Sequence, residues 1–536
     1  MKSGGSLDAT SPEAAGRSAR PASLLRYSPG LVVVAVALAN ACDFADTDLW
    51  GHIYFGAAML RAGRIIPNDP YNYSVPGHPW LHHEWLSEVV MAAVYAHFGM
   101  IGLKIWHLCV TAAAVVFLAV ADGETGAPVA IQFGVLTAAA LAVAPTMQFR
   151  PQIFTYALFA ILIALLTRDR YGRRTPLWVA VPMLALWANL HGGFFIGLVA
   201  LGIYAGAVGL EDIFAGRGMG RAWRLAGLTL AAAAATLINP IGVECWRTVI
   251  VSLLDPMAHK VMADWRPFMA VAANYGWRSG VAFFVVWLAF VAALAIAACL
   301  TPRGGDWPLL AIAAVMIAAT FSAVRNMPLA AIAGAPPLAR HLDLVLRRFR
   351  GRGAASAADR ATPVEPAAER MSSPGQAVVI FAALALMLGR EGLFSRTLKA
   401  ANKYPSGAVA FMRAKGLHGN ILNKSEWGQY LIWHLAPGSK IFIDGRFDTV
   451  YTPEVIRRYL ALFFGLPGGA RVLSEYPHDF ALAPPTSAAF RTLSERSDWK
   501  LLYRDSTCAL FARARSPAAT PTSPPVIGTA AKNYFP

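Results

Sequence analysis

Apolar runs long enough to cross a hydrocarbon core, about 16 to 21 residues each, recur along the first three quarters of this chain. "FFIGLVALGIYAGAVGL" and "FFVVWLAFVAALAIAACL" are two of them. In lipid every backbone N–H and C=O must be satisfied within the segment, so such runs have to be helices. Composition agrees: 56% of the 536 residues are hydrophobic and 15% are charged, against roughly a quarter charged in ordinary soluble domains. The fold class that follows is a polytopic α-helical membrane protein.

The net charge of +16 could point to nucleic acid. The Arg residues instead gather in short loops between apolar runs, as the positive-inside rule requires, and no basic patch carries interleaved aromatics. No nucleic-acid partner is expected; membrane lipid is. Setting the Arg-rich loops in the cytoplasm gives about eleven spans, at 29–43, 102–121, 127–146, 152–167, 175–190, 194–210, 224–239, 279–299, 307–323, 328–340 and 376–391. Residues 1–28 read as a disordered cytoplasmic N-terminus, 43–83 as the first outer loop and 84–98 as a helix on the outer interface. Residues 341–374 read as a basic cytoplasmic loop, and the transmembrane domain as a whole covers 29–391.

From residue 392 to 515 the pattern changes to short strands ("GNIL", "KIFID", "DFALA", "WKLLYR", "CALFAR") alternating with helical stretches such as "PEVIRRYLALFF". That is a small soluble α/β domain on the outer side. Residues 516–536, rich in Pro, Thr and Ala, read as a disordered tail. Cys42, Cys109, Cys245, Cys299 and Cys508 stand far apart with no CxxC pair, which fits neither a disulfide framework nor a zinc site.

This topology puts every unusual polar cluster on one side of the membrane: Asp43, Asp46, Asp48 and His52; His82, His83 and Glu84; Arg150; His191; Asp264 and Arg266; Arg325. Polar chemistry converging on one face suits an enzyme of that interface. A transporter would show ionisable groups at mid-depth or broken helices. In "DFADTDLWGH", Asp46 and Asp48 flank one residue and can converge on a substrate hydroxyl or a divalent cation, since hard cations prefer carboxylate oxygen. If a helix starts there, Asp46 stands near its N-terminus, where negative charge is favoured, with His52 one turn beyond Asp48.

His82, His83 and Glu84 could bind phosphate or metal, or form a wet N-cap. Arg150, Arg266 and Arg325 stand at outer boundaries, where positive charge is least expected, and each asks for an anion; guanidinium binds phosphate bidentately. His191, followed by two glycines, suits close approach of a ligand or a satisfied buried position. In "FIDGRFD", Asp444, Arg446 and Asp448 directly follow a strand, the place of a binding loop in such sheets, or of an Asp–Arg turn.

A first span, an acidic D-x-D stretch in the first outer loop, interfacial helices, many spans and an outer C-terminal domain together resemble the GT-C superfamily of integral-membrane glycosyltransferases. More narrowly, "DTDLWGHIYFG" and "IIPNDPYNYSVPGHPWLHHEWL" resemble a bacterial group with a D-x-D-x-W-W-H signature; here Gly51 stands in place of the second Trp. The resemblance continues through "RPQ", "HGG", "NP" and "WGQYLIW".

It implies a transferase that moves a sugar from a polyprenyl-phosphate-linked donor to a glycan, lipid or protein acceptor, in the bacterial inner membrane. Asp46 becomes the first choice for general base or metal ligand and Asp48 the second, with Mg or Mn as the candidate cofactor. Arg150, Arg266, Arg325 and His191 become candidates for the donor phosphate. Two other classes stay open: a non-catalytic protein that binds or assembles lipid-linked glycans, and a transporter or flippase.

Overall fold

The computed structural model describes residues 44–143, 146–254, 265–274, 281–301, 306–353, 397–400, 404–515, 526–528 and 534–535. The expected spans at 29–43 and 376–391, with Asp43 and Asp264, lie outside the described residues.

A short strand, β1 (Phe44–Ala45), leads into helix α1 (Leu49–Ala62), which ends on Gly63 in the left-handed conformation at φ 61°. Helix α2 (Trp85–Glu124) follows. The sequence suggested an interfacial helix and a separate span here, and the helical run breaks between them at Gly99, whose φ of 62° and ψ of −157° only glycine adopts without strain. The apolar series continues as α3 (Val129–Val143), α4 (Gln152–Arg170), α5 (Ala180–Leu190), α6 (Phe194–Phe214) and α7 (Gly220–Ala235). Two short helices, α8 (Glu244–Leu254) and α9 (Phe268–Asn274), occupy what read as an outer loop. They are followed by α10 (Val281–Leu300), α11 (Trp307–Ser322) and α12 (Met327–Gly353).

Among the described residues, four helical segments are long and apolar enough to cross a membrane: Trp85–Glu124, Gln152–Arg170, Phe194–Phe214 and Val324–Arg350. The last reaches into the expected loop at 341–374, of which 354–374 lie outside the described residues. Its first part continues α12, because Asp343 and Arg347 pair one turn apart at 2.9 Å and His341 Nδ1 meets Thr301 Oγ1 at 2.5 Å.

The C-terminal part contains β2 (Leu398–Ala400), α13 (Ser406–Ala414), β3 (Asn420–Asn423), α14 (Gly428–Leu435), β4 (Lys440–Ile441) and α15 (Pro453–Phe464). Then come β5 (Phe480–Ala483), α16 (Ala488–Ser494), β6 (Trp499–Arg504) and β7 (Ala509–Arg513). The expected tail contributes β8 (Val526–Ile527) and β9 (Tyr534–Phe535). A six-stranded sheet has the order β4-β3-β5-β7-β6-β8, and a smaller one the order β1-β2-β9. The pairing of β8 and β9 corrects the expectation of a wholly disordered 516–536. Phe535 supplies the physical reason: it is fully buried and packs edge-on against Trp50 at 5.2 Å between ring centroids.

Two hydrophobic cores result. One runs through α2 to α12 and buries Tyr156, Trp187, Phe194, Tyr204 and Trp287. The other joins α1 and the first loop (Trp50, Phe55, Tyr73, Trp80) to the C-terminal domain (Tyr404, Ile421, Phe442, Phe511). The first loop therefore folds as part of the C-terminal domain's core. It also extends the sheet: Tyr73 N–H donates to Ile441 O at 3.2 Å and Ile441 N–H to Tyr71 O at 3.0 Å, adding residues 71–73 beyond edge strand β4.

Candidate active site

The link between β1 and α1 carries the acidic pair. Asp46 Oδ1 accepts the backbone N–H of Asp48 at 3.0 Å, the local turn that Asp favours. Asp48 stands at the N-cap of α1, yet its carboxylate makes no capping bond. It faces Arg150, whose NH2 donates to Asp48 Oδ2 at 3.2 Å, while Arg150 Nε lies 2.6 Å from Asp46 Oδ1. Arg150 is placed from below. Phe149 is buried against the ring of His107, 4.3 Å between centroids, and His107 Nε2 donates to Gln148 O at 3.1 Å.

The C-terminal domain supplies the other wall. A Cβ on Gly445 would stand 2.5 Å from Asp48 Oδ1, so only glycine lets this loop approach so closely. Asp48 keeps 24% of its side chain exposed and Asp46 8%, which makes Asp48 the more reachable acid. Burial pushes Asp48 up to about 6; the Arg150 charge pulls down and the Asp46 charge adds to the rise.

One turn along α1, His52 Nδ1 meets Glu88 Oε1 of α2 at 3.2 Å. Burial disfavours charge on His52, but the Glu88 hydrogen bond and the charges of Glu84, Glu88 and Asp48 outweigh it and raise it to about 8. His82 Nδ1 lies 3.9 Å from the other Glu88 oxygen, with its ring tilted against Trp80 at 3.6 Å.

A second group surrounds Glu84, the N-cap of α2. His191 Nε2 lies 3.4 Å and His83 Nε2 3.6 Å from Glu84 Oε1. His191 Nδ1 accepts the Gly193 N–H at 2.9 Å and meets Thr155 Oγ1 at 2.8 Å. Burial pushes His191 down to about 3, so it is neutral and carries its proton on Nε2, towards Glu84. Burial also opposes charge on Glu84, but His83, His191, His52 and Arg325 together hold its carboxyl below the ordinary range. Arg325 stacks on Trp265 at 4.3 Å, and the carbonyl of Arg266 accepts the Val324 N–H at 3.0 Å.

The loop read from "FIDGRFD" divides. Arg446 is buried in a bidentate contact with Asp69 at 3.1 and 3.2 Å and a closer one with Asp444 at 2.6 Å. The faces of Trp80 and Phe55 cover it at 4.3 and 4.4 Å. Burial works against the charge of Arg446, and Asp444 and Asp69 more than offset it. This half of the loop locks the domain onto the first loop, and its neighbour Gly445 reaches the acidic pair. The Asp448 backbone lies in the 3-10 turn Phe447–Thr449.

No protein-family model matches the chain, and no curated protein matches it. Solved structures do. The chain is similar to the archaeal oligosaccharyltransferase AglB from Archaeoglobus fulgidus, in complex with an inhibitory peptide and a dolichol-phosphate, with TM-score 0.57 and 12% identity. That match covers 86% of this chain and 69% of that one. It is also similar to the arabinofuranosyltransferase AftD from Mycobacteria, with TM-score 0.50 and 14% identity, over 91% of this chain and 40% of that one. The chain has the GT-C fold.

Among the described residues, the donors around Asp46 and Asp48 do not suit a divalent cation. A hard cation takes six or more oxygen ligands at close range. Among the described residues no group of three or more His, Cys, Asp and Glu is arranged to hold one, and the Arg150 guanidinium already lies against both Asp46 and Asp48. Sequence reasoning missed Glu88, Asp69 and Thr155. Glu88 had a signal, since it follows Glu84 by one helical turn in "EWLSE". Asp69 and Thr155 had none, because each is defined by a partner distant in sequence.

Proposed function

We propose that this chain is a membrane glycosyltransferase that moves a sugar from a polyprenyl-phosphate-linked donor to an acceptor hydroxyl or amide at the face bearing Asp48. The observation that carries the proposal is the acidic pair itself: two carboxylates on one tight turn, both against Arg150, with Asp48 the more exposed of the two and beside Gly445 of the C-terminal domain. The GT-C fold supports it, as does the dolichol-phosphate in the AglB complex.

In this reading Asp48, rather than the sequence's first choice Asp46, is the base. Asp46 is occupied by the Asp48 N–H and Arg150. Asp48 is the more exposed of the two, and its raised affinity for a proton brings it nearer to a hydroxyl. Asp48 takes the acceptor proton and the acceptor atom bonds to the anomeric carbon. The carbon–oxygen bond to phosphate breaks, and polyprenyl phosphate leaves with the electron pair. Direct displacement inverts the anomeric centre. Arg325 and Arg266 receive the developing phosphate charge, with His191 beside them held by Glu84. The site end of the bundle is then the outer face, and the C-terminal domain is extracytoplasmic.

The test is release of polyprenyl phosphate from a panel of lipid-linked sugars by purified protein, with Asp46→Asn and Asp48→Asn alongside. The proposal expects Asp48→Asn to lose about 10²- to 10⁴-fold, the usual worth of a general base. Release that persists in Asp48→Asn would remove the assignment of the base. Wild type that binds lipid-linked sugars yet releases nothing in the presence of acceptor would favour a protein that only holds them.

A further inference from the structure

The fold places a cation between Asp46 and Asp48 without borrowing one from solution. Arg150 Nε is 2.6 Å from Asp46 Oδ1, and its NH2 is 3.2 Å from Asp48 Oδ2. A metal that used both carboxylates would need oxygens at about 2.0 to 2.6 Å, in the volume that the guanidinium fills. One of the carboxylate oxygens is engaged a second time, since Asp46 Oδ1 also accepts the Asp48 N–H.

The Arg150 placement is built rather than incidental. Its residue precedes α4, whose N-cap is Pro151. Its N–H donates to Gln148 O at 2.8 Å, and that same carbonyl is held by His107. Phe149, 1% exposed, locks the turn into the core.

We propose that Arg150 is the resident cation of the Asp46–Asp48 pair, and that this site works without a divalent metal. Resting on the transferase reading, Arg150 does two things that a metal would otherwise do. It neutralises one of the two adjacent negative charges, and it holds Asp48 by Oδ2 so that Oδ1, beneath Gly445, is the oxygen left for the acceptor proton. A guanidinium suits this better than an ammonium, because its fork spans two carboxylates in one plane. Arg150 is thus a positioning residue.

Binding of Mn2+ to the purified full chain, read by loss of the free-ion EPR signal, tests this without any turnover. At about 1 mM Mn2+, where weak carboxylate sites fill, wild type should remove none. Arg150→Gln should remove about one equivalent, and Arg150→Gln with Asp48→Asn should remove none. Arg150→Lys, which keeps the charge, controls for folding and should also remove none. Uptake by wild type that Asp46→Asn or Asp48→Asn abolishes would overturn the proposal. Absence of uptake from both wild type and folded Arg150→Gln would overturn it too, because the guanidinium would not then be what stands in the metal's place. In the release assay, wild-type rates should be the same with and without EDTA. If wild type released nothing from any donor, the transferase reading would fail while the EPR result still decided this one.

Discussion

Arg446 and Asp69 lie 377 residues apart in the chain and form a bidentate ion pair at 3.1 and 3.2 Å. Asp69 belongs to the "NDPYNY" stretch of the first loop and Arg446 to the "FIDGRFD" loop of the C-terminal domain. Two segments that read as separate motifs are the halves of one clamp. Its grip extends to the acidic pair, since Gly445, beside Arg446, touches Asp48.

Breaking the clamp on one side should be costly. Arg446→Ala would leave Asp69, 3% exposed, and Asp444, fully buried, as charges without their partner, a loss of about 3 to 5 kcal/mol. Arg446→Lys should not restore it, because an ammonium can neither fork onto Asp69 nor lie flat between Trp80 and Phe55. Thermal unfolding and limited proteolysis of the first loop would both report the change. An Arg446→Ala protein that melts with wild type would show that the clamp holds nothing.

Gly445→Ala separates contact from stability. The added methyl would meet Asp48 Oδ1 at 2.5 Å, so Asp48 must move or the loop must lift. The expected result is at least a tenfold loss of polyprenyl phosphate release, the scale on which a small misplacement of a reacting group is felt. The melting temperature should change little, because Arg446 keeps its partners. Unchanged release in Gly445→Ala would remove the C-terminal domain from the site.

His52 should give the protein a pH-dependent stability near neutrality. Its folded-state value, about 8, lies above its ordinary 6.5. The stability it contributes is therefore fully present below about 6.5 and is lost as pH rises through about 8, on the order of 2 kcal/mol in all. The partner that favours the charged imidazole is Glu88, whose Oε1 lies 3.2 Å from His52 Nδ1. Apparent melting temperatures from pH 6 to 9 should fall in wild type and stay level in His52→Gln. Parallel curves would refute the assignment.

The apolar helices were legible because lipid leaves the backbone one solution, and nine of the expected positions fall on helices, from α2 to α12, four of which are long and apolar enough to cross a membrane. The strands "GNIL", "DFALA", "WKLLYR" and "CALFAR" were legible from alternation and from the turn residues between them. What escaped was whatever depends on pairing at long range. Asp46, Asp48 and Arg150 each carried a signal of unusual charge at a boundary, but nothing in the sequence says that Arg150 answers the two aspartates rather than a phosphate. Gly51 lies against the Gln429 side chain, a neighbour that nothing in the sequence points to. Phe535 sits in a Pro- and Thr-rich tail, where composition argues against order. One aromatic ring, matched to the pocket of Trp50, Tyr95 and Trp433, outweighs that composition.

The last expectation concerns how activity responds to acid. A base must be unprotonated to act, and burial with the neighbouring Asp46 charge lifts Asp48 to about 6 despite Arg150. The rate of polyprenyl phosphate release at low donor concentration should therefore fall tenfold per pH unit below about 6 and level off above it. Removing the Arg150 charge takes away the pull that keeps Asp48 ionised, so Arg150→Gln should move the inflection to higher pH. Asp46→Asn, which removes a repelling charge, should move it to lower pH. The two shifts have opposite signs, which a general loss of folding cannot mimic. An inflection that neither variant moves would mean that the ionising group is not Asp48.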